Sequence, residues 1–288
     1  MSISSSSVLV SLNISVWPAS KLDREVTDQV TFNANANASS GKFMKDLFAG
    51  TSIRKDIEKY AAHCRVRHLR FTLPWADKGD RLLPTSLFMD YKKFINDAEF
   101  RFEELCNNFF AAYPQLLADA PLHLGKLYKA DDYPDIDEVK RRFGFRFVFS
   151  PLPDAGDFRL DVSNNELEEL KQKYASDYDI RLAEAMREPW ERLHSTLISM
   201  SAKLTDEPGS NDDDKPKKRY HETLVTNAQD LCSLLTKLNI TGDPKLEEAR
   251  QQLELTMLGA DIEAIKESPA VRESMKSKVD AILSKFEW

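Results

Sequence analysis

Four aspartates in two glycine-containing loops are the side chains best suited to chemistry. Asp77 and Asp80 lie between Pro74 and Pro84, and Asp154 and Asp157 lie just beyond Pro151. Paired carboxylates bind divalent cations and serve as general acid and base, so these residues suggest a metal-dependent hydrolase or nuclease. Aspartate and glycine are also ordinary turn formers, and plain turns are the favoured interpretation. The enzyme is kept as an alternative.

A short cluster of His63, Cys64 and His68 could in principle ligate a metal ion. On a helix, positions 63 and 68 point about 140° apart, so they cannot easily share one ion. Cys64, Cys106 and Cys232 each lie among apolar residues in a helical pattern, which favours buried thiols. The short motifs of serine hydrolases, P-loops, dinucleotide sites and kinases are absent from the sequence. The sequence therefore predicts no catalytic residue, no metal and no cofactor.

Basic residues cluster at 65–70 and 140–146, where they could contact an anion or a nucleic acid. The whole chain, however, has a formal charge of −7 and a pI of about 5.4. The phosphate backbone repels an acidic chain, so solvated helix faces are favoured and nucleic-acid binding is disfavoured. Four alternating phenylalanines over 143–149 are likewise typical of a packed sheet, and less so of a base-stacking platform.

Hydrophobic periodicity predicts the strands that would position these residues. Residues 8–17 and 143–149 alternate with period two and predict two strands, and 158–162 predict a third that forms a hairpin with the second. Residues 33–41 are small and polar and predict a flexible loop. A helix is expected from about 42 to 70.

Two long helices dominate the predicted fold. From Phe88 to Ala112, apolar residues recur in a heptad seam of the coiled-coil type, on a helix that Pro121 should end. Residues 163–166 form a capping box that begins a second long helix, with a seam over 186–204 and an expected kink at Pro189. The predicted fold class is α+β and predominantly helical: a long antiparallel helix pair packed on a small three-stranded antiparallel sheet, plus a C-terminal helical unit.

The predicted domain organisation follows from the position of a polar run. Residues 205–219 contain no apolar side chain and predict a flexible linker between a main domain, 1–204, and a C-terminal helical unit, 220–288. Asp243–Pro244 and Ser268–Pro269 predict the beginnings of two helices in that unit. In the main domain, Asp135 with Glu138 three residues later predicts the beginning of a helix of one or two turns. No stretch approaches the ~20 apolar residues of a membrane span, and the N-terminus lacks the basic region of a signal peptide.

Seven short segments carry a resemblance to a known group of proteins. They are Leu12–Trp17 with Lys21–Asp23, Thr72–Trp75, Arg81–Pro84, Pro153–Arg159, Trp190–Leu193 and Leu238–Asp243. Over about residues 8–245, the chain resembles an uncharacterised family found in bacteriophages, prophages and some bacteria. Because these segments carry no recognisable chemistry, the resemblance implies no catalytic residue.

The resemblance implies a function through contact with other proteins. Members are often encoded near a MoxR-type AAA+ ATPase and a von Willebrand A-domain protein, so an adaptor or partner of such a machine is expected, in the cytoplasm of a bacterial host cell. The candidate contact residues are Trp75, Asp77, Arg81, Asp154 and Asp157, because a tryptophan beside an arginine is typical of interface hot spots. Trp75 could equally be a core residue. A further hypothesis is an acidic inhibitor of a host defence protein, which predicts a salt-sensitive complex.

Overall fold

The computed structural model of the chain describes residues 3–76, 79–153, 164–205, 223–286 and 288. The fold is α+β and 70% helical, with two long helices, a four-stranded antiparallel sheet and a group of C-terminal helices, so the predicted fold class is confirmed. The expected packing of the two long helices against each other stays a prediction. The helices are α1 Ile3–Ser6, α2 Arg24–Asn33, α3 Ile53–Phe71, α4 Thr85–Leu124, α5 Ile136–Arg141, α6 Asn164–Leu204, α7 Thr223–Leu238, α8 Pro244–Met257, α9 Ile262–Glu267 and α10 Pro269–Lys285. The strands are β1 Ser7–Ser15, β2 Ser20–Leu22, β3 Met44–Asp46, β4 Leu73–Pro74, β5 Arg81–Pro84 and β6 Gly144–Pro151.

The main sheet has the strand order β4-β5-β1-β6. Strand β1 pairs antiparallel with β5 so that Ser7 lies opposite Pro84 and Leu9 opposite Leu82, and β4 pairs antiparallel with the same β5. Leu9, Leu82 and Leu83 are all buried, so this pairing contributes to the core. Strands β2 and β3 form a separate two-stranded ribbon.

The chain divides into two compact units. The first contains Met1–Val10, Arg70–Met89 and Phe149–Trp288, and the second contains Ser11–Leu69 and Asp90–Val148. The predicted linker 205–219 lies, except for Thr205, outside the described residues. The predicted boundaries around it therefore stay a prediction.

In the first unit, the seam of α6 is buried by the C-terminal helices. Leu193, Leu197, Met200 and Leu204 of α6 share one apolar core with residues of α7 to α10. From those four helices it includes Leu224, Val225, Ala228, Leu231, Cys232, Leu235, Leu246, Ala249, Leu253, Met257, Ile265, Met275, Val279 and Ile282. A stripe of this kind stabilises its helix mainly through burial, at roughly 25 cal/mol per Å² of apolar area removed from water.

In the second unit, the seam of α4 is buried by aromatic rings. Phe109 is fully buried, and its ring centroid lies 5.6 Å from Phe48 and 5.5 Å from Phe143. Phe102, two turns earlier on α4, meets Phe145 of β6 at 5.5 Å. The phenylalanines of β6 therefore belong to a packed aromatic layer, as their alternation predicted.

A buried charge cluster lies beside this aromatic layer in the same unit. Lys45 Nζ is 2.6 Å from Asp132 Oδ2 and 3.5 Å from Asp23 Oδ2, and it donates a hydrogen bond to the carbonyl of Leu127 at 2.8 Å. Lys21 Nζ lies 2.7 Å from Asp132 Oδ1. The Lys45, Asp23 and Asp132 side chains are each less than a tenth exposed, so their charges must neutralise one another.

Local capping signals in the sequence are confirmed. The carboxylate of Asp135 accepts from the amides of Asp137 and Glu138 at the beginning of α5. Asp243 and Ser268 cap α8 and α10 in the same way, each with proline at the first helical position. These contacts satisfy amide donors that a helix leaves free at its N-terminus.

Several predicted elements are wrong in their bounds. The helix expected from 42 to 70 begins only at Ile53, because 44–46 pair as β3 and a turn with Gly50 at φ +88° follows. The expected loop 74–84 contains β5. Helix α4 passes Pro121 and ends at Leu124. The predicted strand 158–162 lies outside the described residues.

Candidate partner-binding site

The described ends of both predicted contact loops meet on the first half of α6. Trp75 follows β4, and its ring lies edge-on against Tyr178 of α6, with 5.1 Å between centroids. One turn earlier, Tyr174 donates its hydroxyl to the carbonyl of Pro153 at 3.2 Å, immediately before the second loop. The two tyrosine rings lie 6.3 Å apart. Two segments that are distant in sequence thus share one short stretch of helix.

A hollow of about 60 Å³ lies at this meeting point. It is lined by Trp75, Tyr174, Asp177, Tyr178 and Arg181, which we call the α6 aromatic site. Trp75 is buried, the two tyrosines are half-buried, and Asp177 and Arg181 are exposed. Neither of these charged side chains makes a hydrogen bond or an ion pair with another residue in the described part of the chain. The site therefore combines an aromatic floor with one carboxylate and one guanidinium group, and both charged groups are accessible to a partner.

A charge network fixes the β4–β5 hairpin on α6 beside this site. Arg81 donates to Glu188 at 2.8 Å, to the Thr72 hydroxyl at 2.8 Å and to the Thr72 carbonyl at 3.1 Å. Arg192 donates to the same Glu188 at 2.6 Å and to the carbonyls of Thr72 and Arg70 at 3.0 and 2.8 Å. Because Thr72 is fully buried, these donors satisfy polar atoms that water cannot reach.

The structure describes two of the five predicted contact residues, and these two differ in their surroundings. Trp75 is only 7% exposed, so of its two interpretations the structure favours core packing, and a role in partner binding stays a prediction. Arg81 is engaged in the hairpin network. Asp77, Asp154 and Asp157 lie outside the described residues. The residues that sequence reasoning missed are Tyr174, Asp177, Tyr178 and Arg181; their i, i+4 spacing on a long helix was the available signal.

Of the four loop aspartates only Asp80 is described, so the described residues do not show a metal site in these loops. Asp80 is described, and its carbonyl accepts from the amide of Ala76 at 3.2 Å, which is turn geometry. Among the described residues, no group of three or more His, Cys, Asp or Glu side chains could hold a metal ion. The proposed acid–base pair of the alternative enzyme therefore stays a prediction.

The histidine–cysteine cluster is used in packing. His68 is buried, and its Nδ1 lies 2.7 Å from the hydroxyl of Tyr91, while the ring of His63 stacks on Tyr60. All three cysteines are buried and free. Burial raises the pKa of Cys106 to about 12 and that of Cys232 to about 11, so both thiols stay protonated and unreactive at neutral pH.

The described basic side chains mostly have partners within their own unit. Arg65 donates to the carbonyl of Ile14 at 2.6 Å, and Arg67 lies over the ring of Phe94 at 4.6 Å. Arg142 pairs with Glu138. These contacts favour the interpretation of the basic clusters as structural helix faces.

Two further findings bear on the kind of protein this is. In the described ranges, no helix combines the length and the apolar character needed to cross a membrane. The resemblance to a phage and prophage family stays a prediction. Comparison with known proteins finds no family model, no curated protein and no solved structure that matches this chain.

Proposed function

We propose that the protein acts by protein–protein contact and that the α6 aromatic site is its contact surface. The observation that carries this proposal is the meeting of the two loop ends on Tyr174 and Tyr178. Tyrosine, tryptophan and arginine are the residue types that dominate binding energy at interfaces, and here they lie together around one hollow. A rigid aromatic floor also costs little conformational entropy when a partner binds.

Asp177 and Arg181 give such a surface its specificity. They lie four residues apart on α6 and are exposed, so they face the same side of the helix. With no ion pair to another described residue, each can pair with an opposite charge on the partner. Charges at the rim of an interface steer the partner and fix its orientation, while buried aromatic area supplies most of the affinity.

The partner that the resemblance suggests is a MoxR-type AAA+ ATPase or its von Willebrand A-domain companion, in the cytoplasm of a bacterial host cell. In this proposal the protein works as an adaptor and the chemistry belongs to the ATPase. An acidic inhibitor of a basic defence protein would use the same surface differently, because its complex would be held mainly by the net charge of −7. Such a complex weakens steeply with salt.

The test is direct binding to the purified ATPase and to the purified A-domain protein, measured by calorimetry at low and high salt. We expect Tyr178→Ala and Arg181→Ala to weaken binding about tenfold or more, as hot-spot truncations do. Arg187→Ala and Asp179→Asn are matched controls, because both residues are exposed on the same helix and neither lines the hollow.

Two results would contradict the proposal. If Tyr178→Ala and Arg181→Ala bind like the wild type, as the two control variants should, the contact surface lies elsewhere. If neither purified protein binds, the suggested partner is wrong, and co-purification from lysogenic cells followed by mass spectrometry should then name another. A complex that dissociates fully at high salt would favour the inhibitor.

A further inference from the structure

A second hollow lies in the other unit, between α4 and the beginning of β6. It has a volume of about 290 Å³. Its lining comes from Phe102, Glu103, Cys106, Asn107, Phe110, Lys140, Phe143, Gly144 and Phe145, and we call it the α4–β6 groove. This volume is near the lower end of the range typical of small-molecule sites, which suits a ligand the size of an amino acid better than a nucleotide.

The floor of the groove is aromatic and uncharged. The ring of Phe102 meets Phe145 at 5.5 Å, and Phe110 meets Phe143 at 5.5 Å and 81°, so rings from the helix and the strand form one continuous surface. Phe110, Phe143 and Phe145 are only half-buried and keep part of their faces open. Burial holds Cys106 as a neutral thiol in the same floor. Such a surface favours a flat apolar body.

The rim of the groove carries one carboxylate, one amide and one ammonium group. Glu103 and Asn107 are exposed and lie one turn apart on α4, and neither side chain makes a hydrogen bond or an ion pair with another described residue. Lys140 of α5 is exposed, and within the described part of the chain its ion pair is a 3.6 Å contact with Asp137, whose own side chain is 77% exposed. An ion pair of that kind contributes little and is easily exchanged for a ligand.

We propose that the α4–β6 groove binds a small zwitterion with an aromatic body, of the class of the free aromatic amino acids. The ligand's ring lies on the phenylalanine floor, its ammonium group pairs with Glu103, and its carboxylate pairs with Lys140. Asn107 supplies an amide that can donate to the carboxylate or accept from the ammonium group. This inference does not rest on the α6 aromatic site, which lies in the other unit and has different residues.

The experiment titrates the full chain with L-phenylalanine and L-tryptophan by calorimetry and by saturation-transfer NMR. Three further probes each lack one feature, since phenethylamine has no carboxylate, 3-phenylpropionate has no ammonium group and glycine has no ring. A fourth probe, N-acetyl-phenylalanine amide, lacks both charges. We expect the aromatic amino acids to bind, and phenethylamine and 3-phenylpropionate to bind about tenfold more weakly, as the loss of one charge-assisted contact implies. Glycine, without the ring, and the amide, without either charge, should bind at least as weakly as these two probes.

Substitutions on the rim locate the binding and have close controls in the sequence. Glu103→Gln and Lys140→Gln should each weaken L-phenylalanine binding about tenfold, because each removes one of the paired charges. Glu104→Gln and Arg141→Gln change neighbouring exposed residues that do not line the groove, and they should bind like the wild type.

Three outcomes would overturn the proposal. The first is no binding of either amino acid. The second is binding that Glu103→Gln and Lys140→Gln leave unchanged, which places the ligand elsewhere. The third is N-acetyl-phenylalanine amide binding as tightly as phenylalanine, which would mean that the groove recognises an aromatic side chain of a peptide and not a zwitterion. Because every probe is a small molecule, failure here is separate from failure of the adaptor proposal.

Discussion

Glu188 is the residue on which the placement of the β4–β5 hairpin depends most directly. Its two carboxylate oxygens accept from Arg81 at 2.8 Å and from Arg192 at 2.6 Å. The three side chains are 24%, 17% and 18% exposed, so solvent screens these bonds only partly. Glu188→Gln keeps the shape of the side chain but removes its charge and replaces one of its two acceptor oxygens by an amide donor. Both guanidinium groups then lose their counter-charge, and one of them also loses its acceptor.

The magnitude follows from the two bonds. A hydrogen bond with a charged partner contributes about 1.5–3 kcal/mol, and a neutral bond contributes roughly half of that. Losing one of these bonds and about half of the other, with a discount for the exposed fraction, predicts a decrease of about 2 kcal/mol in the free energy of unfolding. For a unit of this size, the corresponding decrease in Tm is about 4–8 °C.

The assay combines denaturant unfolding with hydrogen exchange read by mass spectrometry. Exchange should accelerate in peptides that cover Arg81–Pro84, which Arg81 and Glu188 hold in place, and much less in peptides that cover Pro244–Met257. Glu191→Gln is the matched control, because Glu191 pairs with Arg187 on the same helix and both are largely exposed. Its effect should stay within about 0.5 kcal/mol. Equal effects of Glu188→Gln and Glu191→Gln would refute the reasoning.

Three other predictions concern the second unit. Gly50→Ala should destabilise it by about 1–3 kcal/mol in a thermal melt, because φ is +88° there and a Cβ would lie 2.8 Å from the His123 ring; unchanged stability would mean that the turn can relax. Phe109→Ala should cost about 3–5 kcal/mol in denaturant unfolding, because it leaves a cavity among fully packed rings; a cost under 1 kcal/mol would mean that the rings collapse into it. Burial acts to raise the pKa of Asp132, but hydrogen bonds from its two lysine partners outweigh it and hold the pKa below the ordinary value of 3.8. Its contribution is therefore present at neutral pH and is lost as the pH falls below about 4, so the stability difference between wild type and Asp132→Asn should shrink between pH 7 and pH 3; a constant difference would contradict this sign.

The parts of the fold that the sequence predicted depend on local chemistry or on long periodic patterns. Asp135, Asp243 and Ser268 cap helices because an acceptor side chain two or three residues before a free amide is enough to fix a helix start. The seams of α4 and α6 extend over many turns, so their burial could be inferred before their partners were known.

The missed elements depend on contacts between distant residues. Strands β4 and β5 have two and four residues and contain prolines, so no period-two signal is long enough to detect. The pairing of β4 with β5, and of β5 with β1, decides their conformation. Helix α4 continues through Pro114 although one amide donor is lost there, because Phe109 and Tyr113 anchor the helix on Phe48 and the Tyr113 hydroxyl donates to the carbonyl of Pro134 at 2.6 Å.

In the candidate site too, some residues could be identified from the sequence and others only from the fold. Composition alone identified Trp75 and Arg81, and both do lie next to α6. Tyr174 and Tyr178 precede the apolar seam of that helix, so in the sequence they resemble an ordinary solvent-facing surface. Only the fold brings Tyr178 to the ring of Trp75, and only the fold places Pro153 against Tyr174.

Different residues in and beside the α6 aromatic site therefore position the hairpin and contact a partner. Trp75 and Arg81 have their ring faces and donors engaged within the protein, and a partner could use them only by breaking contacts that hold the hairpin. Asp177 and Arg181 make no such contacts in the described part of the chain, so a partner can pair with them at no cost to the fold. A substitution at Trp75 should thus act on stability first and on binding second, whereas one at Arg181 should act on binding alone.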